Sequence, residues 1–193
     1  MKSILSATLQ SIPDLSIVIK KLSDNNIKYG LYAGAYVSLI TSNRVPTDVD
    51  FVVADEDFDK LKVLFPHAQL KGDEKNAGGL FLYPSEDHKI EFMAKATVDM
   101  DGSHYNFKMT DLAWNNTSLM EINGINIRLC NPIETILLKA MLQRGADKGK
   151  HDLEDIEALL NFVTIDKNYL SKRLLECGQD ERLLVVIRKY NLL

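Results

Sequence analysis

Cysteine is nearly absent: Cys130 and Cys177 are the only two in 193 residues. They have neither metal-ligand spacing nor the density of a disulfide scaffold, so both are expected as buried or partly buried thiols in a reducing cytoplasm. Long apolar runs are missing too, since no stretch reaches the roughly 20 apolar residues that a membrane helix needs. The opening Met1-Lys2-Ser3-Ile4-Leu5 leads into polar residues and Pro13 before any secretory apolar core develops. The expectation is a soluble, unprocessed, cytoplasmic protein with no membrane partner. Positive charge is not in excess, with 23 Lys and Arg against 27 Asp and Glu and a net charge of −4. A general electrostatic footprint for nucleic acid is therefore lacking, although a local basic cleft is compatible with an acidic chain. His67, His88, His104 and His151 show no paired spacing and no cysteine partners, which argues against zinc. The chain also lacks a Walker-type phosphate loop, a dinucleotide fingerprint, a serine-centred triad, internal repeats and low-complexity tracts.

What remains is ordinary globular composition, 46% hydrophobic and 26% charged, enough to build one compact unit. Leu15, Val18, Ile19 and Leu22 fall at helical spacing before the polar stop Asp24-Asn25-Asn26. A strand from Lys28 to Ala33, Gly34, and a helix from Ala35 follow in that order. Val49 to Ala54 reads as a second strand, and Asp55-Glu56-Asp57 supplies acidic residues to the first turn of a helix carrying Phe58, Leu61, Leu64 and Phe65. Two hairpins are expected. One pairs Leu80 to Tyr83 with Lys89 to Met93, and the other pairs Ser118 to Ile122 with Ile125 to Cys130 around Asn123-Gly124, a dipeptide suited to positive φ. Residues 94–117 read ambiguously. From Asn131 the pattern turns helical, with Asn131 as N-cap, Pro132 at the first helical position and Glu134 completing a capping box. The region Gly145 to Gly149 interrupts it before a second helix on Leu153, Ile156, Leu159, Leu160 and Val163. One or two more helices complete the chain. The fold class is thus α/β (α+β), a mixed sheet flanked by helices: a core at 1–130 and a C-terminal helical segment at 131–193 packed on it.

The chemistry concentrates at Asp48-Val49-Asp50, fourteen residues beyond Gly34. On a strand, side chains alternate, so both carboxylates project to one side while Val49 and Phe51 enter the core. A magnesium ion takes oxygen ligands, commonly one or two carboxylates, and leaves its other positions to water and phosphate. Glu91, alternating with Ile90 and Phe92, is the best third carboxylate.

Gly34-Ala35, Asp48-Val49-Asp50 and the later Glu91, in that order, resemble the nucleotidyltransferase superfamily that includes DNA polymerase beta. Its signature is Gly-Ser or Gly-Gly, a spacer, Asp-hydrophobic-Asp or Glu, and a third carboxylate on a later strand. Asn131-Pro132-Ile133-Glu134, Lys139 and Lys150-His151-Asp152-Leu153-Glu154-Asp155-Ile156 resemble the C-terminal helices of small stand-alone members related to abortive-infection nucleotidyltransferases. The resemblance spans about Tyr29 to Leu160. It implies transfer of a nucleoside monophosphate from a nucleoside triphosphate, with ATP the first choice, to an acceptor hydroxyl on a protein, an RNA end or a small molecule. It implies Mg²⁺, with Mn²⁺ as substitute, held by Asp48, Asp50 and Glu91 as the catalytic carboxylates. Gly34, Ala35, Arg44, Lys139, Arg144 and Lys150 are its nucleotide-binding candidates. Two positions depart from the pattern: Ala35 replaces Ser or Gly, and Glu91 stands where many relatives have Asp.

Each of these residues also has an unspecialised use. An Asp-x-Asp can be an exposed strand face, Gly34 a tight turn, and Lys139, Lys148 and Lys150 solvated charges. Asp152, Glu154 and Asp155 suit a helix N-terminus, and Asp152 can orient Lys150 or Arg144. Trp114 can stack on a base or anchor packing. The competing functions are a catalytically degenerate nucleotide-binding or partner-binding module, within a toxin–antitoxin pair for example, and a metal-dependent phosphohydrolase, whose usual histidines are missing.

Overall fold

Two strands of the same design lie side by side at the centre of the fold. β2 (Val49–Val53) and β5 (Ile90–Ala94) each bury every residue except the second, which is the acid. Near-continuous apolar strands of this kind belong inside a sheet covered on both faces. The structure, a computed structural model, describes residues 12, 14–42, 45–72, 80–84, 86–100, 103–122 and 124–193.

The remaining strands are β1 (Tyr29–Tyr32), β3 (Gln69–Lys71), β4 (Leu80–Tyr83), β6 (Thr97–Met100), β7 (Ser103–Asn106), β8 (Ser118–Ile122) and β9 (Ile125–Leu129). Seven of the nine form one sheet in the order β3-β4-β5-β2-β1-β9-β8, and β6 and β7 form a separate two-stranded ribbon. The β2–β5 and β1–β9 pairs are parallel and the other pairs antiparallel, so the sheet is mixed. Both expected hairpins are present. Residues 73–79 of the polar stretch and Asn123 lie outside the described residues, whereas Gly124 has the positive φ of 79° that its turn requires. The ambiguous segment resolves into the β6–β7 ribbon and a short helix.

The helices are α1 (Leu15–Asp24), α2 (Ala33–Thr41), α3 (Phe58–Leu64), α4 (Asp111–Asn115), α5 (Pro132–Leu142), α6 (Asp152–Leu160), α7 (Lys167–Cys177) and α8 (Glu181–Lys189). α1 buries the predicted stripe Leu15, Val18, Ile19 and Leu22. The acidic triplet Asp55–Asp57 forms a 3₁₀ turn ahead of α3. In α5 every residue from Ile133 to Met141 is buried, as befits a helix surrounded by other elements. One apolar cluster runs from Ile12 to Leu192 and joins the sheet to the C-terminal helices.

Asn131 caps α5, its side chain accepting from the Ile133 amide at 3.0 Å, with Pro132 in the first turn. The capping box does not form. Glu134 is fully buried and accepts instead from Arg173 Nε at 2.9 Å, Arg173 Nη2 at 2.7 Å and the Tyr169 hydroxyl at 2.6 Å. A buried carboxylate demands full compensation, and a fully buried guanidinium on α7 supplies it better than one backbone N–H. Both cysteines are buried, and neither is in a disulfide. Cys130 explains Gly30: a Cβ there would fall 2.5 Å from the Cys130 sulfur.

Candidate active site

Strand pairing assembles the acidic wall. Asp50 and Glu91 are direct partners across the parallel β2–β5 ladder, and Tyr32 is the partner of Asp50 on the other side, across β1–β2. Asp48 sits in the bend before β2, two residues from Asp50, with the Thr47 hydroxyl donating to its Oδ1 at 3.3 Å. All three carboxylates are half-buried. Burial pushes the Asp50 carboxyl up to about 8, and the charges of Asp48 and Glu91 add to the rise, while Lys150 and Lys139 pull the other way. Glu91 is also raised, by burial first, with the hydrogen bond from Tyr83 opposing. That bond, from the Tyr83 hydroxyl to Glu91 Oε2, is 2.6 Å long. The Tyr32 phenol is pushed upward by burial and by the fields of Asp50 and Glu91. Among the described residues no three histidine, cysteine or acidic side chains form a preformed metal cluster. The acids stand along one wall as neighbours, a donor set suited to a hard cation that brings further oxygen ligands with it.

The opposite wall comes from the end of α5, the 145–151 connection and the start of α6. Asp152, the first residue of α6, accepts from Lys139 Nζ at 3.1 Å, Arg144 Nε at 2.9 Å and the Arg144 backbone N–H at 2.9 Å. Burial resists ionisation of Asp152, yet the Arg144 hydrogen bond and the Lys139 charge outweigh it and hold the carboxyl below its ordinary range. Asp155 pairs with Lys139 at 2.8 Å. Lys139 is thus committed to two carboxylates and nearly buried, whereas Arg144 keeps 32% of its side chain exposed. Lys150 is exposed on the rim.

Between the walls lie two adjoining cavities. One, of about 260 Å³, is lined by Gly34, Thr47, Lys139, Gly149, His151 and Asp152. The other, of about 410 Å³, is lined by Glu91 and a mostly apolar set. They share Ala33, Asp48, Asp50, Arg144 and Lys150.

The turn from β1 into α2 differs from expectation. The strand stops at Tyr32 and α2 begins at Ala33, so the left-handed residue is Ala33, at φ 57°, and Gly34 lies inside the first helical turn. The Ala33 amide donates to Thr135 Oγ1 of α5 at 3.1 Å, which secures this uncommon conformation. A Cβ on Gly34 would meet nothing within 4 Å, so the glycine leaves open space at the cavity wall. Ala35 points into the core and lines neither cavity. Arg44 lies outside the described residues. Trp114 packs elsewhere, beside Tyr29 and Arg128, with the Lys28 ammonium 5.3 Å from its ring centre. Sequence reasoning missed Tyr32, Tyr83 and Thr135. Alternation in β1 marks Tyr32 as a neighbour of the site, but no linear signal marks the other two.

No family model matches the chain, and no curated protein matches it by sequence. Solved structures do. An antigenic nucleotidyltransferase-like protein from Paracoccidioides brasiliensis aligns with a TM-score of 0.53 at 18% identity, over 91% of this chain and 84% of its own. ANT(2'')-Ia, solved in complex with adenylyl-2''-tobramycin, aligns at 0.53 and 10% identity over 94% of this chain and 98% of its own. The lincosamide antibiotic adenylyltransferase LnuA, solved with lincomycin bound, aligns at 0.51 and 16% identity over 78% and 97% respectively. These likenesses establish the fold: the mixed sheet and its flanking helices are those of nucleotidyltransferase structures.

Proposed function

We propose that the protein is a metal-dependent nucleotidyltransferase of the polymerase-beta-like superfamily, moving a nucleoside monophosphate from a nucleoside triphosphate, ATP first among them, to an acceptor hydroxyl. The observation that carries this reading is the register match of Asp50 with Glu91 beside Asp48. It sets three carboxylates against a wall that offers Lys150, Arg144 and the open space at Gly34. The Lys150-His151-Asp152 segment resembles that of the small abortive-infection-type members.

Asp48, Asp50 and Glu91 would hold magnesium, or manganese in its place, and a cationic ligand would favour the ionised forms of Asp50 and Glu91 that burial and like charge disfavour. Bound there, the ion would neutralise triphosphate charge and polarise the reacting phosphorus. Lys150 and Arg144 contact the phosphates from the facing wall, Arg144 being oriented by Asp152. Gly34, at the N-terminal end of α2, admits a phosphate close to the backbone. The acceptor oxygen forms a bond to the α-phosphorus while the bond to the bridging α–β oxygen breaks, and pyrophosphate leaves with that electron pair. The acceptor proton passes to Glu91, whose position Tyr83 fixes.

One observation favours a nucleotide-binding module without turnover: the Tyr83 hydroxyl occupies Glu91 Oε2. Isothermal titration of ATP, GTP, CTP and UTP with Mg²⁺ into wild type and Asp48→Asn/Asp50→Asn, followed by pyrophosphate-release assays, separates the readings. Binding that requires both metal and carboxylates is expected, with turnover once an acceptor is present. Equal binding by the double variant would remove these acids from the site.

A further inference from the structure

The larger cavity differs from its neighbour in chemistry. Beyond the shared residues it is walled by Tyr32, Phe81, Met93, Val98, Leu138 and Leu142, with Thr97 and Glu91. Among the described residues, Glu91 is the only charged side chain there that the smaller cavity does not share. The apolar floor is fixed by packing. Phe81 and Met93 are cross-strand partners, the Tyr32 hydroxyl meets the Met93 sulfur at 3.2 Å, and the Tyr32 ring stacks on Phe107 at 5.6 Å. Val98 comes from the β6–β7 ribbon and Leu142 from the end of α5, so separate elements contribute to the cavity wall.

We infer that this cavity is the acceptor subsite and that the acceptor is a small, uncharged hydroxyl compound with an apolar body. The inference rests on the nucleotidyl-transfer reading and narrows it. Gly34 lines the smaller cavity alone, while Lys150 and Arg144 line both, so the phosphates are assigned to the Gly34 side and the Glu91 side is left to the acceptor. A volume of about 410 Å³ lies within the usual range of small-molecule pockets. An RNA end needs cations along its phosphates, and among the described residues this cavity adds no lysine or arginine to the two already facing the donor. A polycationic acceptor needs acidic partners besides those assigned to the metal, and among the described residues the cavity, whose acids are Asp48, Asp50 and Glu91, offers none. The apolar walls instead reward a neutral body whose hydroxyl lies beside the carboxylates.

The test titrates the full chain with N-phenyl-1-naphthylamine, a neutral apolar fluorophore, with and without saturating Mg²⁺-ATP. Competitors are 4-phenyl-1-butanol, a 12-nucleotide RNA and spermine. The probe is expected to bind, to remain bound with Mg²⁺-ATP present, and to be displaced by the aryl alcohol alone. Val98→Glu and Leu142→Glu, verified as folded by thermal melting, are each expected to weaken it at least fivefold. Displacement by Mg²⁺-ATP would assign the cavity to the donor base, and displacement by RNA or spermine to those classes; each overturns the inference. So does unchanged probe binding in both folded variants. Mg²⁺-ATP binding without probe binding sinks the acceptor assignment alone, whereas probe binding without any Mg²⁺-nucleotide binding sinks the nucleotidyl-transfer reading itself.

Discussion

On the strand wall Asp48, Asp50 and Glu91 stand together, and none forms an ion pair with a described residue. On the helix wall Lys139 and Arg144 are bonded to Asp152, and Lys139 also to Asp155. Burial and like charge raise Asp50, whereas opposite charge lowers Asp152 despite its burial. The helix wall therefore uses charge to hold the connection between α5 and α6 in place. The strand wall gathers carboxylates whose ionised form its own surroundings disfavour, and such groups gather where a ligand is to be bound.

Replacing an acid by a neutral residue should accordingly act in opposite directions on the two walls. Asp152→Ala removes the carboxylate shared by Lys139 and Arg144, leaving Lys139 to Asp155, and is expected to cost about 3 kcal/mol of unfolding free energy, measured by urea denaturation. A loss below about 1 kcal/mol would remove the contrast between the walls.

Asp50→Asn is expected to cut turnover at least about 100-fold while making the apo protein more stable in alkali. The sign follows from the raised carboxyl. Between the ordinary value of 3.8 and about 8 the folded state keeps a proton that the unfolded chain has released. Wild-type stability therefore falls as pH rises through that window, and the loss is complete above it. Thermal melts should place the variant about 2–8 °C above wild type at pH 9 and level with it at pH 3. Magnesium should raise the wild-type Tm more at pH 9 than at pH 5, and the variant should lose that response.

Gly34→Val probes the open space between the walls. Nucleotide affinity, read by titration calorimetry, should drop about tenfold, with stability changed by less than about 1 kcal/mol because no atom lies within 4 Å of the added Cβ. At the small end, Lys20→Ala removes an exposed pair with Asp24 on α1 and should shift stability by less than about 0.5 kcal/mol. A larger effect would show that exposed pairs in this chain outweigh their usual contribution.

Local signals identified most of the frame. Stripe spacing gave α1, Asn131-Pro132 the start of α5, and alternation the strands β2 and β5 with one acid each. Where a residue's partner lies far along the chain, local reading failed. Glu134 has the spacing of a capping box, yet its partner is Arg173, 39 residues away. Tyr83 belongs to the expected hairpin, but only the β4–β5 pairing sets its hydroxyl against Glu91. Ala33 takes the left-handed conformation next to a glycine because Thr135, 102 residues on, receives its amide hydrogen.

The sequence by itself determined that Asp50 and Glu91 each face away from the apolar residues beside them, because strand geometry alternates side chains without reference to anything distant. It also determined that Gly34 precedes them with no side chain to fill the site. Only the tertiary structure decided that β2 and β5 are neighbours in register, that Lys139 is neutralised while Lys150 stays exposed, and that an apolar cavity adjoins the acids. Those outcomes depend on which surfaces meet after burial, and hydrophobic burial is non-directional: it drives apolar faces together without naming their partners.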